Sequence, residues 1–424
     1  MINYKTIYII GFLLPLYSLS LRIGIEISLY KILPLMSIIL SIFNFRNIKL
    51  HSSFLKYILP LILLFALVTS INYYIIYDSG FIHNSIADGL TPAKAYFNMP
   101  TQLLASILLI SNLFMMPNLI NNEFSLNKFI NGFIDGNIFS VIVGVLLVFM
   151  SNIVVNAPFD LIHIYPDRLS GLGGEPRHFS SLLVLSIMIL LFNRRVKILT
   201  ISNQSTKKAV LFFGIFFSLS TSSWIGFIIM ILYYLISSGV KKFVLGITVV
   251  AVINSIAYIS SPDVFNERLI DRISNGYDQF IYYAPKDGLT LDLLTSNPIS
   301  FIFGSGAGGA DYYITSTGIL ENADDKIKNT RIIQAAINGE REASLSASSF
   351  IIRFAGDFGI FGLFLLAVLV LRLRGVINNS GARKLYTDLS YTMFFAATVM
   401  SAISFYMYII LISAVLAVYA KKLH

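Results

Sequence analysis

The segment Asp167–His178 holds the densest group of side chains that could do chemistry in this 424-residue chain. Its twelve residues include Arg168, Glu175, Arg177, His178 and three glycines. Arginine offers a fixed fork of donors that suits phosphate oxygens, and glycine lets a backbone come close to a ligand. A neighbouring carboxylate or imidazole can act as a general base. The segment therefore predicts a site for a phosphate or pyrophosphate group, and a tight turn whose arginines pair with lipid headgroups is the alternative.

More arginines that could bind the same group lie in the second half of the chain. Arg272 and Arg341 belong to the polar stretch 261–347, and Arg353 lies at the start of the apolar run that follows. Asp357 follows Arg353 by about one helical turn, so the two could pair. A charged pair inside a membrane is a functional candidate by default, although structural pairing alone explains it equally well.

Other kinds of chemistry are poorly supported. Residues 304–309 satisfy the GxGxxG pattern, but no βαβ unit surrounds them and no Lys-Ser/Thr follows. We therefore interpret them as a flexible turn or a surface of close approach. The few histidines lack an HExxH spacing and the polar stretch has no Asp-x-Asp pair, so we predict no metal site and no cofactor. Without cysteine there is no thiol nucleophile.

Composition indicates the elements that must position these residues. Hydrophobic residues make up 56% of the chain, charged residues 12%, and mean hydropathy is +0.76. Apolar runs approach or exceed the roughly 20 residues that a helical span needs, and they lack the alternation of barrel strands. The chain is therefore predicted to be an all-α, polytopic helical membrane protein. We place about twelve spans near 5–20, 29–45, 54–77, 100–116, 130–155, 179–193, 209–222, 223–239, 243–260, 348–371, 387–403 and 405–420.

The positive-inside rule orients these spans. If 209–239 forms two short spans, all the basic clusters that flank spans lie on the same face of the membrane. A single span would put Lys241/Lys242 on the opposite face from Lys207/Lys208. Both termini are then inside. The polar stretch 261–347, which has 87 residues and 12 of the 22 acidic residues, is then a large outer loop between spans 9 and 10. The chain thus divides into 1–260 with spans 1–9, the loop 261–347, and 348–424 with spans 10–12.

The net charge of +9 reflects the same basic clusters. They are scattered over loops and form no aromatic-interleaved platform, so we do not expect nucleic acid as a partner. The first apolar run lacks a small-residue cleavage site and is predicted to be a retained span, not a signal peptide.

Three segments resemble the superfamily of O-antigen polymerases (Wzy) and O-antigen ligases (WaaL). Arg168-Leu169-Ser170-Gly171 with Glu175-Pro176 is similar to the Arg-x-x-Gly…Glu-Pro segment of that superfamily. The stretch 219–224 is similar to its Thr-x-Ser-Arg turn, but Ser223 stands where the arginine is usual. The stretch 303–306 resembles a Gly-x-Gly element of the large outer loop. The resemblance covers roughly the second half of the chain.

A fourth segment distinguishes the two branches of the superfamily. Ligases carry His-[Asn/Ser/Gln]-x9-Gly-x2-[Gly/Thr/Tyr] where the outer loop re-enters the membrane. Ser348-Ser349, Gly359 and Gly362 fit that spacing, with serine at the histidine position. The loop 261–347 has no histidine at all. The sequence therefore favours a polymerase, with a ligase as the alternative.

The resemblance implies a glycosyltransferase of the bacterial inner membrane, with both termini cytoplasmic and a periplasmic outer loop. Its donor would be an undecaprenyl-pyrophosphate-linked oligosaccharide, and membrane lipids and a chain-length regulator are further candidate partners. Arg168 would act on the pyrophosphate, and Glu175 or His178 would accept the proton of the acceptor hydroxyl. Arg177, Arg272, Arg341 and Arg353 would assist in binding the pyrophosphate. A lipid-linked oligosaccharide flippase or transporter is the competing class, although no related halves are visible and such a protein needs no large outer domain.

Overall fold

The structure is a computed structural model of the whole chain. It describes residues 3–16, 20–23, 25–28, 52–78, 119–154, 168–172, 176–239, 284–330, 333–334, 349–399 and 402–420, with isolated positions between them.

The described residues are mostly helical. The helices are α1 (Tyr4–Leu13), α2 (Ser52–Asp78), α3 (Glu123–Val154), α4 (Pro176–Val196), α5 (Gln204–Phe217), α6 (Thr221–Ile236), α7 (Pro285–Ser296), α8 (Pro298–Phe303), α9 (Ala310–Ser316), α10 (Ile319–Asn322), α11 (Asp325–Lys328), α12 (Phe350–Arg374), α13 (Ser380–Val399) and α14 (Ala402–Tyr419). Two short antiparallel strands, β1 (Ser20–Ile23) and β2 (Ile25–Ser28), form a hairpin after α1.

Four helices within the described residues are long and apolar enough to cross a membrane: Leu59–Asp78, Glu123–Phe149, Pro176–Val196 and Phe350–Arg374. They coincide with four of the predicted spans. The prediction of a helical membrane protein is thus confirmed at that level, and the number of twelve spans stays a prediction. The spans expected near 29–45, 100–116 and 243–260 lie largely outside the described residues.

The chain breaks within 209–239, where two short spans were predicted. Helix α5 ends at Phe217, Leu219 adopts a left-handed φ of 49°, and α6 begins at Thr221. The Trp224 ring lies 6.2 Å from that of Phe212, whose ring lies 5.9 Å from that of Phe227. The chain therefore forms two separate helices here, and each of them packs on α4.

Helix α1 is shorter than the span predicted at 5–20. It ends at Leu13, and Pro15 offers no N–H group to continue the helical hydrogen bonds. Glycines let α1 and α3 approach closely: a Cβ on Gly132 would lie 2.2 Å from the Tyr8 carbonyl oxygen, and one on Gly136 would lie 2.1 Å from that of Phe12. Such small-x3-small spacing is typical of helix pairs in membranes.

The chain divides into two compact units. Unit 1 comprises 1–51, 108–256 and 373–424, and unit 2 comprises 52–107 and 257–372. These units are defined by contacts in space, and each combines segments that are distant in the chain. The division predicted from the sequence, in contrast, follows the order of the chain.

Hydrogen bonds in unit 1 bring several helix ends together. The Arg195 guanidinium, at the end of α4, donates to the Ser237 hydroxyl at 2.7 Å and to the Ser237 carbonyl at 2.8 Å, beyond the end of α6. The Thr200 N–H, between α4 and α5, donates to the Asn127 side chain near the start of α3 at 2.9 Å. Lys207 on α5 forms an ion pair of 2.6 Å with Asp135 of α3. These ends therefore share one side of unit 1.

The last two helices of the chain join the same side. Asp388, in the third turn of α13, lies 4.0 Å from Arg195 and accepts a hydrogen bond of 2.8 Å from the Tyr233 hydroxyl. The Asn378 N–H donates to the Tyr419 carbonyl at 3.2 Å, which brings the end of α14 beside the start of α13. We call this side the basic end; it carries the clusters Arg194/Arg195, Lys207/Lys208 and Arg383/Lys384.

In unit 2, much of the polar stretch forms a small folded body at one end of α2 and α12. Its core contains side chains from α7, α9 and α11 and from positions further along the chain: Leu289, Leu293, Ala310, Ile314, Ile327, Ile333 and Leu345. Near the end of α2, Asn72 accepts a hydrogen bond from the Tyr313 hydroxyl, and Ile76 packs on Tyr312 and Tyr313. The described part of the stretch is thus a structured body and not a simple connection.

Candidate functional site

The arginine segment of unit 1 lies on the side opposite the basic end, against the middle of α3 and before the start of α4. Gly171 adopts a left-handed φ of 55°, and a Cβ there would lie 2.5 Å from the Ser140 carbonyl oxygen. The Leu172 N–H donates to the Ser140 hydroxyl at 2.8 Å. The segment is therefore pressed against α3, and only glycine fits at its closest point.

The same segment contacts the turn between α5 and α6. The Leu169 N–H donates to the Phe217 carbonyl at 2.9 Å. From the first turn of α4, the Ser180 hydroxyl donates to that of Ser223 at 2.5 Å, and the Ser223 hydroxyl donates to the Arg177 carbonyl at 3.4 Å. Two of the three segments that carry the family resemblance are thus held together by hydrogen bonds.

Three of the predicted site residues lie in this arrangement. Arg168 directly precedes Leu169, whose N–H contacts the end of α5. Arg177 and His178 lie on the first turn of α4. All three side chains are partly exposed. Arg177 and His178 lie at a helix N-terminus, which favours negative charge, and Arg168 lies on the segment that precedes it. Guanidinium and imidazole groups of this kind can bind an oxyanion and move a proton.

Ser223, which replaces the family's arginine, is a structural residue here. It is 0% exposed, and the Ser220 hydroxyl donates to it at 3.3 Å in addition to the bond from Ser180. This position has no room for a long charged side chain. The Ser223 hydroxyl contacts the backbone of Arg177.

Unit 2 contains a second arrangement, formed by the glycine loop 304–309 and α12. The loop's N–H groups of Ser305 and Gly306 donate to the carbonyls of Gly356 and Asp357 at 2.7 and 2.9 Å. The Gly308 N–H donates to the Asp357 carboxylate at 3.2 Å. The loop was predicted to be a flexible turn or a surface of close approach, and it is the latter.

Helix α12 is broken where the loop meets it. Gly359 adopts φ 67° and ψ −176°, and a Cβ there would lie 2.0 Å from the Ile302 carbonyl oxygen. A Cβ on Gly304, whose φ is 75°, would lie 2.5 Å from the Asp357 carbonyl oxygen. The Ala307 N–H donates to the Thr69 hydroxyl of α2 at 3.1 Å. Three elements of unit 2 therefore meet here: α2, α12 and the segment 302–309.

The predicted ion pair between Arg353 and Asp357 is not observed. Among the ion pairs between described residues, none joins these two. The Asp357 carboxylate is buried against the glycine loop, whereas Arg353 is partly exposed on the first turn of α12. Asp357 thus has a clear structural role, and the Arg353 charge acts on it electrostatically without forming an ion pair.

Replacing Asp357 tests that structural role. Asp357→Asn keeps an oxygen that can accept the Gly308 N–H, so the protein should stay folded with nearly unchanged thermal stability. Asp357→Leu leaves a buried donor without a partner, which costs about 1–3 kcal/mol. Thermal unfolding in detergent should therefore separate the two variants clearly. Equal destabilisation by both would show that the negative charge matters rather than the hydrogen bond.

Several predicted residues cannot be placed. Glu175, Arg272, Arg341 and Ser348 lie outside the described residues. Other contacts had no sequence signal, such as that of Thr69, which is one threonine in an apolar run. Burial raises the pKa of the Tyr313 hydroxyl, which lies in the folded part of the polar stretch. Within the described residues, no group of three or more His, Asp or Glu side chains is arranged to hold a metal ion.

In comparisons with known proteins, no family model and no curated protein matches the chain.

Proposed function

We propose that this protein is a polysaccharide polymerase that lengthens a lipid-linked glycan at the outer face of the inner membrane. One observation carries the proposal: Arg168, Arg177 and His178 gather on the side of unit 1 opposite the basic end. By the positive-inside rule, the basic end faces the cytoplasm. The arginine side then faces outward, where nucleotide sugars are absent and a membrane-embedded donor is a sensible source of energy.

The proposed reaction transfers a glycan from undecaprenyl pyrophosphate to a new lipid-linked repeat unit. A hydroxyl oxygen of the acceptor sugar attacks the anomeric carbon of the donor, and the bond from that carbon to the pyrophosphate oxygen breaks. Glu175 or His178 accepts the hydroxyl proton, and the pyrophosphate leaves with the electron pair of the broken bond. Arg168 stabilises the charge that develops on the pyrophosphate.

Arg177 is the second arginine of the proposed site. The family resemblance puts an arginine in the turn between α5 and α6, where this chain has the buried Ser223. Because Arg177 lies beside that turn on the first turn of α4, we assign it the role of the missing side chain. Arg353, Arg272 and Arg341 are further candidates for binding the pyrophosphate.

The orientation can be tested with single cysteines, since the chain has none of its own. Glu321 is an exposed residue of the folded polar stretch, and Ser202 is an exposed residue between α4 and α5 at the basic end. Glu321→Cys should react with a membrane-impermeant maleimide once only the outer membrane is opened. Ser202→Cys should react only after the inner membrane is also opened. The reverse pattern would contradict the proposed site.

Deleting the gene distinguishes the polymerase from its two alternatives. Loss of a polymerase should leave surface glycan with a single repeat unit, because another enzyme still attaches it. Loss of a ligase would give long lipid-linked chains and no surface glycan. Loss of a flippase would leave single lipid-linked units on the cytoplasmic face. Either of the last two outcomes would overturn the proposal.

A further inference from the structure

Helix α8 exposes its apolar side chains and buries its polar one. Ile299 is 68% exposed, Phe301 44%, Ile302 43% and Phe303 42%, whereas Ser300 is 7% exposed. A helix on the surface of a water-soluble domain shows the opposite pattern, because apolar side chains gain free energy when they leave water. Its surroundings must therefore be apolar.

The exposed face of α8 continues onto α12. The Phe303 ring lies 6.3 Å from that of Phe361, and Gly359 lets the α8 backbone touch α12 directly. Ile360, Phe361 and Phe364 of α12 are also exposed, at 47%, 40% and 59%. Because α12 is one of the helices that can cross a membrane, these side chains face lipid in the bilayer. The apolar surface of α8 is continuous with that lipid-facing surface.

The contact also sets the depth of α8. Gly359 lies nine residues after the start of α12 at Phe350, which is roughly 13 Å along a helix at 1.5 Å per residue. Because α12 breaks at Gly359, this distance is counted along the segment before the break, against a hydrocarbon core of about 30 Å. If α12 enters the core near Phe350, the contact lies roughly 13 Å below the surface of that core.

We propose that α8 and the glycine loop 304–309 form a re-entrant segment, with α8 inserted among the acyl chains of the leaflet next to the folded polar stretch. The segment was expected to lie in water with the rest of 261–347. Non-helical backbone is tolerated at this depth only where its polar groups are satisfied by protein. The bonds from Ser305, Gly306 and Gly308 to α12, and that from Ala307 to Thr69, meet this condition.

The proposal does not depend on the polymerase function and is tested with spin labels. Single cysteines at Ile299 and Phe303 are labelled with a nitroxide in protein reconstituted into phosphatidylethanolamine–phosphatidylglycerol vesicles. Phe364→Cys serves as the lipid-facing control and Glu321→Cys as the water-exposed control. Collision rates are measured with oxygen, which concentrates in lipid, and with a water-soluble nickel complex. Two label positions are used so that a folding defect at one does not decide the result.

Labels at Ile299 and Phe303 should behave like the label at Phe364, with frequent collisions with oxygen and few with nickel. Collisions with nickel as frequent as at Glu321 would show that α8 lies in water and would overturn the proposal. Protection from both reagents would show that another protein chain covers α8, which would overturn it as well.

Discussion

Arg168→Lys is expected to lower the rate of glycan polymerisation about 100-fold or more, which is the usual loss when one donor to a developing oxyanion is removed. Lysine keeps the charge but cannot form the two parallel hydrogen bonds that a guanidinium makes to phosphate oxygens. The amount of folded protein should not change, because lysine keeps the charge and the backbone of this segment makes the bonds to Ser140 and Phe217. Chain length on gels and the rate of ladder formation measure the effect.

Arg194→Lys is the matched control for this experiment. Arg194 is an exposed arginine in the same unit, on the last turn of α4, whose first turn carries Arg177. The substitution has the same chemistry at the opposite end of the helix, so polymerisation should be unchanged. Normal chain length with both lysine and alanine at position 168 would exclude a role for Arg168 on the pyrophosphate.

Gly359→Ala is expected to destabilise the protein by about 3 kcal/mol or more, since it combines a strained backbone conformation with a steric clash. Its φ of 67° with ψ of −176° is a conformation that only glycine adopts readily. A Cβ would also lie 2.0 Å from the Ile302 carbonyl oxygen, which belongs to the backbone of α8. The glycine loop would have to leave α12, and a large fall in the midpoint of thermal unfolding in detergent should report this.

Gly318→Ala separates the effect of backbone strain from that of the steric clash. Gly318 also has a left-handed φ, 72°, but the nearest atom to an added Cβ lies 3.7 Å away at the end of the Asn322 side chain. The strain alone costs about 1 kcal/mol. A similar loss of stability in Gly318→Ala and Gly359→Ala would show that the close approach of α8 to α12 does not occur in solution.

Hydropathy and charge were sufficient to predict the long spans, because each depends on the composition of a whole window. The break between α5 and α6 also followed from charge, since only two helices place Lys207 and Lys241 on one side. Helix starts were harder to predict. Helix α3 begins at Glu123 rather than near 130, because Asn122 and Ser125 cap each other: the Ser125 N–H donates to the Asn122 side chain at 2.8 Å, and the Asn122 N–H donates to the Ser125 hydroxyl at 3.1 Å. A hydropathy window does not register such a polar cap.

The contacts around the candidate sites depend on which helices and loops meet in the fold. Local sequence patterns do not indicate such long-range contacts. The motif at Arg168 was visible as a dense group of functional residue types, but its contact with the turn before α6 needed the fold. The polarity of 261–347 as a whole hid the apolar helix α8, whose six residues are too few to stand out in a long window. Its inverted pattern became visible only when Ser300 was seen to be buried and Ile299 exposed.

The central claim is that this protein joins lipid-linked repeat units, and reconstitution tests it most directly. The purified chain would be placed in vesicles with undecaprenyl-pyrophosphate-linked repeat units isolated from cells that lack the gene. We expect a ladder of lipid-linked products that grows by whole repeat units, with one undecaprenyl pyrophosphate released for each bond formed. The ladder should be strongly reduced with Arg168→Lys but not with Arg194→Lys. Movement of unaltered repeat units across the bilayer, or transfer of glycan to added lipid A core without lengthening of the lipid-linked pool, would contradict it.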